Sequence, residues 1–415
     1  MKKNSPSITN NLIIPTVLGT PQVNLALGDN MVLMKSLKDN SVSCIVQDEP
    51  YGFNEKHRVD INAFMEATLK NKDYQRPGAG IDGAKWDCDV PPLSTRHEQF
   101  RILVPGGHLI SFTGNQNLHL VMATLEKAGF QIIDLLVWVH GNGVPKYPNV
   151  DDKLSIDPSN SRFMGARKYL SPSMEIMVLA KKPVVEKTEL GNQILHGSGL
   201  LNIKQCRFDG TSQNMYPKNV IIQNIDDVIN HAGKMANRFY RVDKSSLDLE
   251  IVQSFFVNRS NKKDKEMGLE NENVPYTKKH IYSDKIVETK NPHKTVKPVE
   301  LMRHLVKMVS FEGDTVLDAY AGSGSTGVAC MLENRKFIGA ELEPDYFETA
   351  RLRISNVYQE NQSKILTSNR DELIWTYDKL LRDATTDIEK QKLLNEVKLK
   401  IGLINNKLTG LKKVA

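Results

Sequence analysis

The chain has 415 residues, 40% of them hydrophobic and 25% charged, with 55 basic and 49 acidic side chains and a formal charge of +6. That balance excludes a predominantly disordered chain, a collagen and a disulfide scaffold, and the length suits about two or three modules around an ample core. The mild basic excess is compatible with a nucleic-acid partner but does not by itself point to one.

Cys44, Cys88, Cys206 and Cys330 are scattered with no C-x-x-C pairing, so neither a metal site nor a disulfide is expected, and a reducing cytoplasm is the default. No apolar run at the N-terminus suits a signal peptide, and none reaches the ~18–20 residues of a membrane span, so a soluble intracellular protein is expected.

In chain order, the apolar run Leu25-Ala26-Leu27 reads as a strand and Gly28-Asp29-Asn30 as a turn. A helix carrying Met31, Leu33, Met34 and Leu37 follows, then a buried strand over Val42 to Val46. This strand-helix-strand alternation predicts an α/β protein with a parallel sheet. The unit stops at Asp48-Glu49-Pro50-Tyr51-Gly52, and the polar residues 54–92 read as a long excursion. The sheet resumes after a turn at Pro105-Gly106-Gly107 with a strand over His108 to Phe112. A helix over Asn117 to Gly129 and a strand over Gln131 to Val139 come next.

From about residue 183 to 290, Lys and Asn become frequent and apolar runs shorten, as in an inserted module. Pro298 suits the first turn of a helix with the stripe Val299, Met302, Val306 and Val309. Then come a strand over Thr315 to Leu317, a glycine loop at 321–327, a helix to about Glu333, a strand over Lys336 to Ala340, and a helix from Asp345 to about Ile354. The remaining residues read as charged helix. Leu394, Val397, Ile401, Ile404 and Leu408 form a stripe that suits packing on its own domain better than a dimer contact.

Two clusters carry chemistry. At Asp318-Ala319-Tyr320-Ala321-Gly322-Ser323-Gly324-Ser325-Thr326-Gly327 a strand ends at an aspartate and a glycine-rich turn opens a helix. Such a turn brings backbone N–H groups close to a ligand. Glu341, at the end of the next strand, is placed to accept ribose hydroxyls. Gly322, Gly324 and Gly327 also match G-x-G-x-x-G, so a dinucleotide site is an alternative. Against it, only one further strand follows the loop, and Asp318 suits a cationic or amine-bearing ligand better than a pyrophosphate.

The second cluster is Asp48-Glu49-Pro50-Tyr51 at a strand end. A carboxylate, a backbone carbonyl held by the following proline and an aromatic ring are what an exocyclic amine needs. Two acceptors hold its N–H groups towards sp³ geometry while its heterocycle stacks on Tyr51.

On these residues, positions 24–358 resemble an amino-group DNA methyltransferase (adenine N6 or cytosine N4) of the permuted β-group, and especially the solitary enzymes of phages and prophages. Asp48-Glu49-Pro50-Tyr51 is similar to the family's Asp-Pro-Pro-Tyr catalytic motif, and residues 318–324 to its S-adenosyl-L-methionine loop. Glu341 is similar to the ribose-binding acid, and Gly28-Asp29 to the acid that reaches the cofactor's adenine. The stretch from Asn291 through His293, Lys294, Thr295 and Lys297 to Pro298 resembles the segment at the methionine end of the cofactor. Weaker echoes are Pro105-Gly106-Gly107-His108-Leu109, Trp138-Val139-His140-Gly141, Leu201-Asn202-Ile203 and Arg238-Phe239-Tyr240.

The resemblance implies a permuted class I (Rossmann-like) S-adenosylmethionine-dependent methyltransferase fold with an inserted target-recognition region. It divides the chain into a catalytic half (20–182), target recognition (183–290), a cofactor-binding half (291–358) and a charged helical extension (359–415). It also implies methyl transfer to a flipped base in double-stranded DNA in a bacterial or phage-infected cytoplasm, by a monomer or homodimer, with no metal and no membrane. The catalytic residues are then Asp48, Glu49, Pro50 and Tyr51. The cofactor residues are Asp29, Thr295, Lys297, Asp318, Tyr320, Ala321, Gly322, Ser323, Gly324 and Glu341.

Asp48 rather than serine favours adenine over cytosine. Glu49 in place of the first proline leaves the loop less rigid and adds a carboxylate beside the base, which keeps open an impaired relative that binds without methylating. Residue by residue, Asp29 also reads as a turn aspartate, Lys297 as a solvated lysine, His293 as structural and Trp138 as core. A nucleotide-cofactor oxidoreductase ranks last.

Overall fold

The computed structural model describes residues 10–15, 21–52, 59–76, 87–139, 151–166, 174–206, 219–222, 260–272, 276–279, 286–382 and 388–414. The echoes at His140-Gly141 and Arg238-Phe239-Tyr240 lie outside these residues.

Among the described residues, nine strands form one sheet in the order β1-β2-β11-β10-β3-β4-β6-β5-β7. They are β1 (Asn10–Pro15), β2 (Pro21–Leu27), β3 (Val42–Gln47), β4 (Leu103–Thr113), β5 (Gln131–Val139), β6 (Met174–Lys181), β7 (Val220–Ile222), β10 (Thr315–Asp318) and β11 (Lys336–Glu341). β8 (Tyr276–Lys279) and β9 (Ile286–Thr289) make a separate antiparallel pair. β2, β11, β10, β3 and β4 run parallel, and β6 is antiparallel to both β4 and β5. This is the Rossmann-like methyltransferase fold expected from the sequence.

The central strands are apolar on both faces because helices cover both. Period-two alternation sends Cys44, Val46, Ile110, Phe112 and Val316 to one core, and Ile45, Leu109 and Leu317 to the other. The first core is closed by α6 (Val299–Val309), α7 (Ser325–Leu332) and the start of α8 (Pro344–Arg382). The second is closed by α1 (Asn30–Ser36), α2 (Ile61–Leu69), α3 (Leu93–Ile102) and α4 (Leu118–Ala128); α5 (Glu189–His196) follows β6. All four residues of the α6 stripe are buried, as is Trp138 in the first core.

The chain passes from β10 through α7 to β11 on one side, and from β3 through α3 to β4 on the other. Strand order therefore reverses between β10 and β3, which pair directly as Val316↔Cys44 and Leu317↔Ile45. A crevice at the carboxyl ends of such strands is where open α/β sheets bind ligands.

The structure corrects three boundaries. Pro105-Gly106-Gly107 lies inside β4 as an irregularity in its pairing with β3, not as a turn ahead of a strand. The polar excursion contains α2, whose Asp60 cap accepts from Asn62 and Ala63. The helix expected to stop near Ile354 continues to Arg382, 39 residues in all. At 1.5 Å per residue it spans ~58 Å. Only its first turns meet the sheet, through Phe347, Ala350, Ile354 and Val357. The rest packs on α9 (Ile388–Val414), where Val397 is buried on the stripe read from the sequence. A long helix needs such a partner because propensity alone holds it weakly.

Val397→Asp would set an unpaired carboxylate into this helix pair. We expect faster hydrogen exchange throughout 388–414 and the distal part of α8, with exchange in β3 and β10 unchanged. Equal acceleration in the sheet would show that the hairpin is not a separate unit of stability.

Candidate active site

Asp48 follows the last residue of β3, and Asp318 is the last residue of β10, so the pairing of these strands sets two carboxylates side by side. Lys297, which precedes Pro298 at the α6 cap, stands between the acids of this site. It is buried, and its Nζ donates to Asp48 Oδ2 at 2.6 Å, with Glu175 Oε2 at 3.4 Å. The same ammonium lies 5.3 Å from the Tyr51 ring centroid and 4.9 Å from that of Phe112. The solvated reading of Lys297 is thus corrected, because three-dimensional neighbours supply the counter-charges that a sequence window cannot show. Tyr51 donates its hydroxyl to Glu175 Oε2 at 3.0 Å. Asp48 Oδ1 is buried and, among the described residues, has no hydrogen-bond partner. A buried acceptor left unpaired is costly and marks a place for a ligand donor.

Burial raises the Asp48 pKa, with Lys297 pulling it back. Burial works to lower the Lys297 pKa, but Asp48 and Glu175 outweigh it and the net shift is upward, so the ammonium stays charged.

The backbone after Asp48 is pinned on every side. Asp87 Oδ1 accepts from the N–H of Tyr51 at 2.9 Å and of Gly52 at 3.1 Å. Asn117, freed from capping α4, donates to the carbonyls of Tyr51 at 2.7 Å and Gly52 at 3.0 Å. Arg76, paired with Asp89, donates to the Gly52 carbonyl at 2.8 Å. Gly52 has φ +66, and a Cβ there would come within 2.5 Å of Arg76 Nη2, so glycine is required.

The Glu49 side chain does not lie on the side of Asp48 and Tyr51, where the sequence placed its carboxylate. It is fully buried on the opposite side and ion-paired with Arg96 Nη2 at 2.5 Å. Adjacent residues of an extended segment point to opposite faces, which sends Asp48 and Glu49 apart.

In the glycine loop, Asp318 accepts from Tyr320 N at 2.9 Å and Thr326 Oγ1 at 2.6 Å. Glu341 accepts from Gly322 N at 2.7 Å and Glu343 N at 2.8 Å. Gly28 N donates to the Glu341 carbonyl at 2.9 Å, and Asp29 caps α1 through Met31 N at 2.7 Å. Asp29, Asp318, Ala321, Gly322 and Glu341 therefore share one rim. Gly324 caps α7 with no side-chain bond, leaving backbone donors of its first turn without a side-chain acceptor. Ser323 is held from behind by buried Arg353, which donates to its carbonyl at 2.6 Å. Gly322 has φ +54, and a Cβ there would lie 3.0 Å from His293 Nε2, so a side chain would strain the backbone and crowd the histidine.

Two predicted residues stand apart. Thr295 is exposed, and its N–H turns back to His293 Nδ1 at 3.3 Å. Tyr320 packs with the second core, where burial and then Glu49 raise its pKa.

Glu175, Phe112, Asp87, Arg76, Asn117, Arg96 and Arg353 were not read from the sequence as site residues. Glu175 is the second residue of β6, and only the antiparallel register Thr113↔Ile176 carries it to the edge where the parallel strands end. The carboxylates of Asp87 and Asp89 within a polar stretch gave the one signal that sequence reading could have followed.

The DNA methylase family profile matches residues 42–352. The chain is 24% identical to the type II methyltransferase M.HindIII of Haemophilus influenzae over 346 residues, covering 79% of this chain and 93% of that one. It is 22% identical to the type II methyltransferase M.BglI of Bacillus subtilis over 353 residues, covering 82% and 89%. Among solved structures, PvuII DNA methyltransferase (cytosine-N4-specific) aligns with a TM-score of 0.44 and 14% identity over 82% of this chain and 92% of that one. The chain belongs to the DNA methylase family, whose members methylate the exocyclic amine of adenine (N6) or cytosine (N4) with S-adenosyl-L-methionine as donor.

Burial raises the carboxyls of Asp318 and Glu341, each to about 7. A carboxyl raised on folding contributes most stability below its unfolded pKa, and this contribution is lost as pH rises through the folded one. Replacing Asp318 by Asn removes that loss. The melting-temperature gain of D318N over wild type, without cofactor, is expected to grow between pH 4 and pH 7 and then level off. A gain that shrinks with pH would contradict the buried-acid assignment.

Proposed function

We propose that this chain is a site-specific DNA methyltransferase that acts on N6 of adenine after base flipping. The observation that carries the reading is the orphaned, buried Oδ1 of Asp48 beside the Tyr51 ring. An amine that donates to Asp48 Oδ1 and to the Glu49 carbonyl would satisfy the unpaired oxygen. Its heterocycle would be held by Tyr51, whose ring is fixed through its hydroxyl on Glu175. Lys297 favours the ionised, accepting form of Asp48 by offsetting part of the cost of burying the carboxylate, although burial still holds the pKa above its ordinary value. Asp48 in place of serine supports adenine over cytosine.

S-adenosyl-L-methionine, when bound, supplies the electrophilic methyl group. The residues that would hold it are Asp318, Ala321, Gly322, Ser323 and Gly324 around the loop, Glu341 at the ribose and Asp29 at the adenine. Lys297 would stand at its methionine end, with Tyr320 and Thr295 contributing backbone shape. A site lined with carboxylates suits a cationic ligand. The protein's share of the rate is position and electrostatics.

Target recognition is assigned to 183–290. Its first residues pack on the core, where Asn192 donates to the Pro105 carbonyl at 2.9 Å and Asn202 N donates to the Met308 carbonyl at 2.8 Å. The partner is double-stranded DNA, and unpairing the base costs a few kcal/mol, to be recovered from stacking and basic contacts. Among the described residues no helix is long and apolar enough to cross a membrane. The Glu49–Arg96 ion pair supports an active enzyme over an impaired relative, because it anchors residue 49 where the motif's first proline is missing.

The test is transfer of labelled methyl from S-adenosyl-L-methionine to unmethylated DNA, with nucleosides separated by mass. Label in N6-methyldeoxyadenosine is expected, and label in N4-methyldeoxycytidine would overturn the choice of base. Asp48→Ala should lower transfer by ~10²–10⁴-fold while cofactor binding persists.

A further inference from the structure

The sequence places glutamate where the resembled motif has proline, and the structure surrounds that glutamate with a closed polar ring. Arg96 Nη2 reaches Glu49 Oε1 at 2.5 Å and Nη1 reaches Oε2 at 2.7 Å, a bidentate grip in which both side chains are fully buried. Gln47 Nε2 donates to Glu49 Oε2 at 2.7 Å. Gln99 Nε2 donates to Gln47 Oε1 at 2.9 Å, and Arg96 Nη1 donates to Gln99 Oε1 at 3.1 Å. Gln47 is itself fixed in the sheet by its register with Ser111.

A fully desolvated ion pair is a poor source of stability, because removing two charges from water opposes their attraction. α3 nevertheless turns Thr95, Arg96 and Gln99 inward, where apolar side chains would fill the same space. What two parallel hydrogen bonds to a planar carboxylate do well is fix direction. Proline fixes it differently, by locking φ near −65°. Glu49 keeps the restriction to extended backbone that Pro50 places on it, but its own φ has no lock, so the side-chain anchor replaces that part of the constraint.

We propose that Arg96 is a positioning residue for methyl transfer: its grip on the Glu49 carboxylate holds the Glu49 backbone carbonyl where the target amine donates. This rests on the assignment of residues 48–51 as the amine-binding loop. Gln47 and Gln99 complete the anchor, which ties the loop to the end of β3 and to α3. Among the described residues, Asp87, Asn117 and Arg76 hold the backbone of Tyr51 and Gly52 and Lys297 holds the Asp48 carboxylate, while the Glu49 side chain is held by this ring.

The test is a double-mutant cycle on the full chain, read by steady-state methyl transfer and thermal melting. Arg96→Met is expected to lower kcat by about 100-fold, the loss that a misplacement of ~1 Å produces. KM for cofactor and for DNA should stay within about threefold, since Arg96 is fully buried beneath the loop. Glu49→Pro combined with Arg96→Met removes both charges and restores the proline lock. That double variant should melt near wild type and recover kcat to within about tenfold.

Should Arg96→Met fail to fold, the double variant decides alone, because it leaves no unpaired charge. A folded double variant without activity overturns the proposal, as does a folded Arg96→Met with wild-type kcat. A loss of DNA or cofactor affinity in place of kcat would assign Arg96 to binding and overturn it as well. Absence of methyl transfer by the wild-type chain would instead overturn the amine-loop reading itself.

Discussion

The pairing of β10 with β3 is the constraint on which the site depends. Residues more than 270 positions apart meet there as Val316↔Cys44 and Leu317↔Ile45; β10 ends one residue later at Asp318, and Asp48 directly follows the end of β3. Because the chain leaves these two strands in opposite lateral directions, no crossover covers the gap between their ends. Asp48 and Asp318 thus open into one crevice without any loop having been shaped to bring them together. The antiparallel β6 adds Glu175 from the far side, since its first residues lie where its parallel neighbours finish.

That crowding of acids sets the electrostatics. Asp48, Glu175, Asp318 and Glu341 sit in partly dehydrated surroundings, and burial pushes Asp48, Asp318 and Glu341 upward. Lys297 offsets part of this by lying against Asp48 and Glu175. Such a site favours cations and hydrogen-bond donors over anions, which agrees with a sulfonium donor and an amine acceptor and disagrees with a pyrophosphate. Glu341, with two backbone N–H groups already on its oxygens, shows how the fold keeps a buried acid in place before a ligand arrives.

The loop at 48–52 shows two ways of achieving rigidity. Around Tyr51 and Gly52 it comes from hydrogen bonds to the backbone, made by side chains of Asp87, Asn117 and Arg76. At Glu49 it comes from the side chain itself, held by Arg96. Both replace conformational freedom with contacts that survive only in a dry interior, where a lost partner leaves a buried charge or carbonyl unpaired.

Local pattern alone located the strands β3, β5, β10 and β11 and the helices α1, α4, α6 and α7, because alternation and capping residues are properties of short windows. It also marked Asp48, Tyr51, Asp318, Gly322 and Glu341, each through the short motif or strand end on which it sits. The length of α8 was not legible, since its distal part is held by α9 rather than by its own apolar stripe. Nor were the roles of Lys297, Glu175 and Arg96, whose partners lie 249, 124 and 47 residues away. A lysine reads as solvated until a carboxylate is placed against it, and a glutamate in a proline's position reads as slack until an arginine holds it. Sequence determined which groups could do the chemistry. The tertiary structure decided which of them are dehydrated, paired and fixed, because burial and counter-charge come from segments that meet only when the sheet closes.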